Sequence, residues 1–260
     1  MKEILEVEIL GTGTSTGVPQ IGCDCEVCRS TDPRDARLRT SAIVCYRGKR
    51  ILIDCGPDFR TQILNARDWH LDALLITHIH YDHVGGIDDL RPYGISDEGF
   101  PVFARQDVIN DLQARLPYCF AKNPYPGVPR LSFTTIDDVT PFEVCGIDVT
   151  PIPVMHYKLP ILGFHIGPLA YITDCKYIAP EQIERLHGVP LLIINALRQD
   201  AHLSHMSLAE SLAVIEQIAP EQAYIIHMSH GIGLHAEVEK SLPTNVHMAY
   251  DGMIVSTRQS

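Results

Sequence analysis

The segment Thr77-His78-Ile79-His80-Tyr81-Asp82-His83 places three imidazoles and one carboxylate within six residues, directly after a short apolar stretch. Imidazole is a good ligand for Zn, Mn and Fe, and a carboxylate adds a hard oxygen ligand. If the preceding strand continues, His78 and His80 point to the same side. Two glycines within residues 84–86 then permit a tight bend, so Asp82 and His83 can address a second point nearby. A solvated polar loop is the alternative, but this order of ligand-type residues favours a metal site.

The elements that must position this segment are mostly strands. Strands are predicted over residues 6–10, 41–46, 50–54, 73–76, 131–135, 147–152, 164–166, 170–173, 191–195, 222–226, 246–249 and 253–255. Helices are predicted over 57–65, 106–115, 180–186 and 207–218. Strands with helices between them predict layers of sheet covered by helices, which is an α/β (α+β layered) fold. No linker divides the chain, so one domain over residues 1–260 is expected.

The composition narrows the partners and the compartment. Lys and Arg total 21 against 32 Asp and Glu, which gives a formal net charge of −11. Large nucleic acids are therefore not expected as partners, because their binders usually present a basic face. The apolar runs are only strand-sized, so no membrane span is predicted. The N-terminal residues lack the apolar stretch of a signal peptide, and we expect a cytoplasmic protein.

A second candidate site consists of Cys23, Cys25 and Cys28, in a turn-rich loop at about residues 22–30. Without a secretion signal, cysteines are expected to be free thiols or metal ligands rather than disulfides. Three thiols at this spacing are good zinc ligands that lack only a fourth. A redox pair or three core cysteines are the alternatives, and the polar, glycine-flanked context argues against a core position. The pattern favours a structural zinc loop.

The HxHxDH run after a strand resembles the metallo-β-lactamase superfamily, and the resemblance covers nearly the whole chain. It implies a four-layer αββα sandwich with the active site at the sheet edges between the two halves. It also implies three further ligands, each at the end of a later strand: His156, Asp174 and His227. By family analogy one metal would be bound by His78, His80 and His156 and the other by Asp82, His83 and His227, with Asp174 as the bridge.

Asp54 matches another position of the superfamily, where this residue orients the histidine loop. A turn aspartate before Gly56 is the alternative. Two divalent metals about 3.5–4 Å apart would convert a bridging water to a hydroxide nucleophile and stabilise the charge of the transition state. No protein nucleophile is then required. Asp82, as a metal ligand, is expected to be essential for catalysis.

The Cys-rich loop resembles the phosphoribosyl 1,2-cyclic phosphate phosphodiesterase (PhnP) branch of the superfamily. This resemblance implies His230, three residues after His227, as the fourth ligand of the structural zinc. It also implies a histidine just before a late helix as general acid. His205 matches that position best and His202 is the second candidate. A solvated histidine near the helix cap is the alternative.

These observations together predict a dinuclear-metal phosphodiesterase that hydrolyses small phosphodiesters, above all cyclic ones. Mn or Zn is expected as the two active-site metals, with one structural Zn. A tRNase Z-like RNA endonuclease is an alternative, although no basic arm for tRNA is visible and the net charge is unfavourable. A non-catalytic metal-binding relative similar to PQQ-synthesis proteins is another. Members of the family often form dimers, so the resemblance also implies a homodimer.

Overall fold

The computed structural model describes residues 4–94 and 98–257 and contains two β-sheets. The first sheet is built from β1 Glu6–Gly11, β2 Ser41–Tyr46, β3 Lys49–Ile53, β4 Ala73–Leu75, β5 Phe100–Ala104, β6 Leu131–Thr135 and β15 Ile254–Ser256. The second contains β7 Phe142–Val144, β8 Ile147–His156, β9 Leu159–Ile166, β10 Leu169–Ile172, β11 Tyr177–Ile178, β12 Leu191–Asn195, β13 Gln222–Ile226 and β14 Val246–Met248. The helices are α1 Phe59–Asn65, α2 Tyr81–Val84, α3 Gln106–Arg115, α4 Pro180–Arg185, α5 Leu208–Ile218 and α6 His235–Val238.

The strand order is β15-β1-β2-β3-β4-β5-β6 in the first sheet and β11-β8-β9-β10-β12-β13-β14 in the second, where β7 pairs with β8. The strands from β3 to β6 run parallel to one another, and so do β10, β12, β13 and β14. In parallel strands the carboxyl ends meet at one edge of the sheet, where ligands of open α/β sheets bind. The loops that follow these strands are therefore the ones that can build a site.

Three apolar layers separate four layers of secondary structure. The sheets pack against each other through side chains such as Ile53 of β3 and Phe164 of β9. Leu52, which points to the opposite face of β3, packs with α1 and α3 instead. On the other side of the molecule, Ile194 of β12 packs with Ile215 of α5. This α/β/β/α arrangement confirms the predicted four-layer metallo-β-lactamase sandwich.

Strand β8 is longer than the predicted range of 147–152, because it continues through Pro151 and Pro153 to His156. Proline cannot donate a hydrogen bond to a neighbouring strand and normally ends a central strand. Here both prolines lie between the short partners β7 and β11, which pair with β8 only at residues 147–149 and 154–155. The chain can therefore extend β8 up to the histidine that the site requires.

The α5 helix begins as predicted. Ser207 is its N-cap and forms a reciprocal capping box with Glu210. Strand β5 was not predicted from the sequence. Among the described residues, no helix combines the length and the apolar character that are needed to cross a membrane.

Candidate metal centre

Four of the predicted ligands lie at the carboxyl ends of strands. His78 follows β4, His156 is the last residue of β8, Asp174 follows β10 and His227 follows β13. The two sheets meet here, because the amide of Leu162 in β9 donates a hydrogen bond to the carbonyl of Thr77 at 3.2 Å. The edge between the two halves, which the superfamily resemblance implies as the active site, is thus the place where ligand-type side chains from both sheets converge.

The first group of side chains that could hold a metal consists of His78, His80, His156 and Asp174, whose ligand atoms all lie within 4.8 Å of one another. His78 Nε2 lies 3.0 Å from His80 Nδ1 and 3.8 Å from Asp174 Oδ2. The rings of His80 and His156 meet edge to face with centroids 5.0 Å apart. Three imidazoles and one carboxylate around one point form a donor set that suits a divalent cation.

The second group consists of Asp82, His83, Asp174 and His227, and all four are buried. His83 Nε2 lies 3.2 Å from Asp174 Oδ1, and His227 Nε2 lies 3.1 Å from Asp174 Oδ2. The two imidazole rings stack with an interplanar angle of 15°. Asp174 belongs to both groups, so its carboxylate lies between the two points at which a metal could bind.

Several histidines are held by a hydrogen bond to the ring nitrogen that faces away from the cluster. His83 Nδ1 bonds Asp54 Oδ2 at 2.7 Å, and His156 Nδ1 bonds the Ser204 carbonyl at 2.8 Å. Asp54 also accepts bonds from the amide and the hydroxyl of Thr77, both at 2.8 Å. Such partners fix the ring orientation and leave the other nitrogen free for a metal. Thr77 and Ser204 were not identified from the sequence.

Buried nitrogen atoms in the cluster lack hydrogen-bond partners. This is the case for His83 Nε2, for both ring nitrogens of His227 and for Nδ1 of His205. Buried polar atoms in proteins are normally paired, because an unpaired one costs about 1–3 kcal/mol. The Nε2 atoms of His83 and His227, which lie close to the Asp174 carboxylate without forming a hydrogen bond, therefore fit the coordination of a cation.

Opposing influences set the protonation states of the cluster. Burial opposes ionisation of Asp174, but the adjacent His227 and His83 hold its pKa well below the usual range. Burial and the charge of His83 together lower the pKa of His78 well below its usual value. Burial also disfavours the charged form of His227, yet Asp174 raises its pKa to about 9. A metal would displace that proton, since ligating imidazoles are neutral.

The backbone is strained at three positions of this site. Asp54, Asp174 and His227 have φ angles of 61°, 54° and 55°, in the left-handed region. Residues other than glycine rarely adopt this conformation, which typically costs about 1–3 kcal/mol and concentrates at functional sites. Each of the three follows a strand directly or by one residue, so the turn that aims the side chain into the site is the strained one.

His205 lies inside the site and His202 lies outside it. The His205 ring is buried, with its centroid 4.5 Å from that of His156 and 4.9 Å from that of His227. Its Nδ1 is 4.0 Å from Asp174 Oδ2. Burial and the charge of His227 lower its pKa to about 3. The His202 ring is tilted by 31° to the His205 ring, with centroids 5.4 Å apart, and is only partly buried.

The thiol group forms a separate cluster with His230. The Sγ atoms of Cys23 and Cys25 lie 3.5 and 3.2 Å from His230 Nδ1, and Cys28 completes the four-residue group. Hydrogen bonds from the Cys28 backbone and from His230 lower the pKa of Cys25 to about 6, which favours the thiolate that zinc binds. Burial raises the pKa of Cys28 to about 11. Three cysteines and one histidine match a closed structural zinc site.

The N-terminal loop that carries the thiols is tied to the active-site edge. The Thr14 amide donates to the Met228 carbonyl at 3.0 Å, and the Met228 amide donates to the Thr12 carbonyl at 2.8 Å. Met228 lies between His227 of the buried cluster and His230 of the thiol cluster. The two clusters are therefore connected through a short segment of backbone.

The fold and the buried histidine and aspartate cluster define a metallo-β-lactamase-type hydrolase. The family model described as beta-lactamase superfamily domain matches residues 49–228, and the chain belongs to this superfamily. A solved structure described as a new diphosphatase from the PhnP family is 35% identical, with a TM-score of 0.90 and 97% of each chain covered. The predicted relationship to the PhnP branch and the prediction of a metal-dependent hydrolase are both confirmed.

Two curated relatives add information on sequence similarity. An octanoyltransferase of Porphyromonas gingivalis is 49% identical over 247 residues, which is 94% of this chain but 50% of that protein. The chain thus spans about half the length of that relative. A coenzyme PQQ synthesis protein B of Methylorubrum populi is 36% identical over 226 residues, covering 74% of this chain and 72% of that protein.

Proposed function

We propose that this hydrolase is a dinuclear-metal phosphodiesterase that acts on small phosphodiesters, above all on cyclic ones. The observation that carries the proposal is the sharing of Asp174 by two adjoining groups of ligand-type residues, all of them buried except His80. Two metals close together are typical of enzymes that cleave phosphate esters, because they serve the attacking and the leaving oxygen at once. We also propose that the protein is cytoplasmic and that its partner is a small molecule rather than a nucleic acid.

The residues divide between two proposed metal positions. His78, His80 and His156 would hold one metal, Asp82, His83 and His227 the other, and Asp174 both. When bound, the metals would supply an activated water and positive charge opposite the phosphate oxygens. Histidine and carboxylate ligands suit Mn or Zn, and we propose one of these. Asp54 keeps the Nε2 atom of His83 aimed at the cluster through its 2.7 Å bond to Nδ1.

His205 is the proposed general acid. Its ring contacts those of His156 and His227, so a substrate held by metals at these ligands would have its leaving oxygen within reach of His205. Its pKa is lowered to about 3 by burial and by the charge of His227. An anionic phosphate bound beside His205 would favour the protonated imidazole, because an opposite charge nearby stabilises the charged form. That proton would go to the leaving alkoxide.

The cluster of Cys23, Cys25, Cys28 and His230 is proposed to bind a structural zinc. The four ligands leave no open position for a substrate, as in other structural zinc sites. Because Thr14 and Thr12 pair with Met228, a zinc there would fasten the N-terminal loop against the edge that carries His227. Its proposed role is to stabilise the site rather than to take part in the reaction.

The relatives support hydrolysis of phosphate esters and also suggest a second class of substrate. The diphosphatase at 35% identity favours diphosphates as alternative substrates, since a P–O–P bond needs the same two metals and proton donor. Half of the relative named octanoyltransferase lies outside the match, so its name does not assign acyl transfer to the part that resembles this chain. Both ligand groups are complete. This argues against the alternative that the protein is a non-catalytic metal-binding relative similar to the PQQ-synthesis proteins.

The proposal is tested with the purified protein and added Mn²⁺ or Zn²⁺. We expect turnover of bis(p-nitrophenyl) phosphate and of a ribose cyclic phosphate, with a dinucleoside diphosphate as the second candidate and an octanoyl thioester as the acyl control. Elemental analysis counts the bound metals. A protein that binds the active-site metals but hydrolyses only the thioester, or nothing, would contradict the phosphodiesterase assignment. Turnover of the diphosphate alone would select the second candidate.

A further inference from the structure

Asn195 is a fully buried amide at the end of an otherwise apolar strand. Strand β12 has the sequence Leu-Leu-Ile-Ile-Asn, and every residue in it is inaccessible to solvent. A buried amide without hydrogen bonds costs several kcal/mol, so this side chain requires partners. The sequence gives one signal of this requirement, the polar residue that ends the apolar run.

The partners of Asn195 are both polar groups of Cys175, the residue that follows Asp174. The Cys175 amide donates to Asn195 Oδ1 at 2.7 Å, and Asn195 Nδ2 donates to the Cys175 carbonyl at 3.0 Å. Strands β10 and β12 pair in parallel up to Ile172 and Ile194. The side chain therefore replaces the backbone pairing just where the chain leaves the sheet to present Asp174 in its left-handed conformation.

The backbone of Cys175 also forms a hydrogen bond with the segment that carries His205, the proposed general acid. The Cys175 carbonyl accepts a second bond, from the amide of Met206 at 2.9 Å, and Met206 directly follows His205. Ser211 in helix α5 donates to the Asn195 carbonyl at 2.6 Å. Asn195 thus contacts the residue after Asp174 with its side chain and the helix after His205 with its backbone.

We propose that Asn195 is a positioning residue that sets the placement of the Asp174 carboxylate relative to the His205 imidazole, now 4.0 Å apart. The inference rests on the proposed function, in which these two groups are the shared metal ligand and the proton donor. The role requires one donor and one acceptor at a fixed reach from the strand end. Ionised aspartate keeps the shape and the acceptor but lacks the donor, and leucine has a similar size but neither group.

A purely structural role makes a different prediction. If Asn195 only satisfies buried polar groups, its replacement lowers the free energy of unfolding and leaves the folded site unchanged. If it positions Asp174, the affinity of the site for metal and the coupling between two bound metals change as well. Residues that orient metal ligands typically contribute about 10- to 100-fold to metal affinity. Metal binding therefore separates the two roles.

The test compares Asn195→Asp and Asn195→Leu with Asn245→Leu in the full chain. Asn245 is a matched control, because its Nδ2 also donates to a backbone carbonyl, that of Pro220 at 3.1 Å, but not beside a proposed ligand. Mn²⁺ affinity is measured by competition with a chelator, and the spin coupling of the Mn pair by electron paramagnetic resonance. We expect both Asn195 variants to bind Mn²⁺ about 10- to 100-fold more weakly, with altered coupling, and Asn245→Leu to lower only the melting temperature.

Wild-type Mn²⁺ affinity and spin coupling in a folded Asn195 variant would overturn the proposal, whatever its melting temperature. Asn195→Asp keeps the test decisive if Asn195→Leu fails to fold, because the aspartate has the same shape. A third measurement is the hydrolysis rate of phosphodiesters whose leaving groups have increasing pKa values. If His205 is displaced, the rate should fall more steeply as the pKa of the leaving group rises. Failure of the phosphodiesterase proposal would appear as an inactive wild type, and the metal-binding measurements would still decide the role of Asn195.

Discussion

Replacement of Asp54 by asparagine isolates the role of a buried carboxylate that contacts no substrate. Asp54 accepts three hydrogen bonds of 2.7–2.8 Å, from the amide and hydroxyl of Thr77 and from His83 Nδ1. Asparagine has nearly the same shape, but its NH₂ group must face either the Thr77 amide, at the position of Oδ1, or both the Thr77 hydroxyl and His83 Nδ1, at the position of Oδ2. If it faces the imidazole, His83 Nδ1 becomes the acceptor and the ring proton moves to Nε2, the nitrogen that a metal needs.

The expected effect of Asp54→Asn is a loss of metal affinity with little change in fold. Loss of such an orienting partner typically weakens metal binding by about 10- to 100-fold, which is about 1.4–2.8 kcal/mol. Isothermal titration with Mn²⁺ or chelator competition measures it, and circular dichroism checks the fold. Asp58→Asn is the control, since Asp58 also accepts from a backbone amide, that of Arg39 at 2.8 Å, but is not bonded to a site histidine. Equal metal affinity in Asp54→Asn and wild type would refute the reasoning.

Three further substitutions test the proposed site. Asp82→Ala should abolish turnover, because it removes a proposed ligand, while the fold measured by circular dichroism persists; retained activity would mean that the site is misassigned. Cys25→Ala should release one zinc and lower the melting temperature, so unchanged zinc content and stability would exclude the structural zinc. His205→Ala should lower kcat by about 100- to 10,000-fold with the bound metals retained. If His202→Ala shows this loss and His205→Ala does not, the general acid is His202.

The sequence predicts the elements best where a proline lies close to one end of an apolar or amphipathic run. The observed bounds of α3, β12 and β13 equal the predicted ranges, because each is a short apolar or amphipathic run with a proline within two residues of one end. Strand β8 was predicted too short because its prolines are acceptable only where a neighbouring strand is missing. That condition depends on tertiary pairing, which no local pattern contains.

In the candidate site, too, the features contained in one short segment could be predicted, and those that depend on tertiary contacts could not. The histidine run at residues 78–83 shows its chemistry in one short segment, and the structure brings His156, Asp174 and His227 to it as the superfamily resemblance implies. Their roles as ligands remain predictions, as does the homodimer. The orienting contacts of Ser204 and Asn195 could not be predicted, because they join residues 48 and 20 positions apart and no local pattern shows which residues meet.

The position of Asp174 in both ligand groups has a thermodynamic consequence. If each group binds a metal, the first ion changes the charge, the protonation and the freedom of a carboxylate that the second ion also needs. The two affinities are then coupled, and linkage makes the coupling equal in both directions. A titration should not follow two independent binding steps, and a chain loaded with one equivalent of metal is a mixture of species whose proportions this coupling sets.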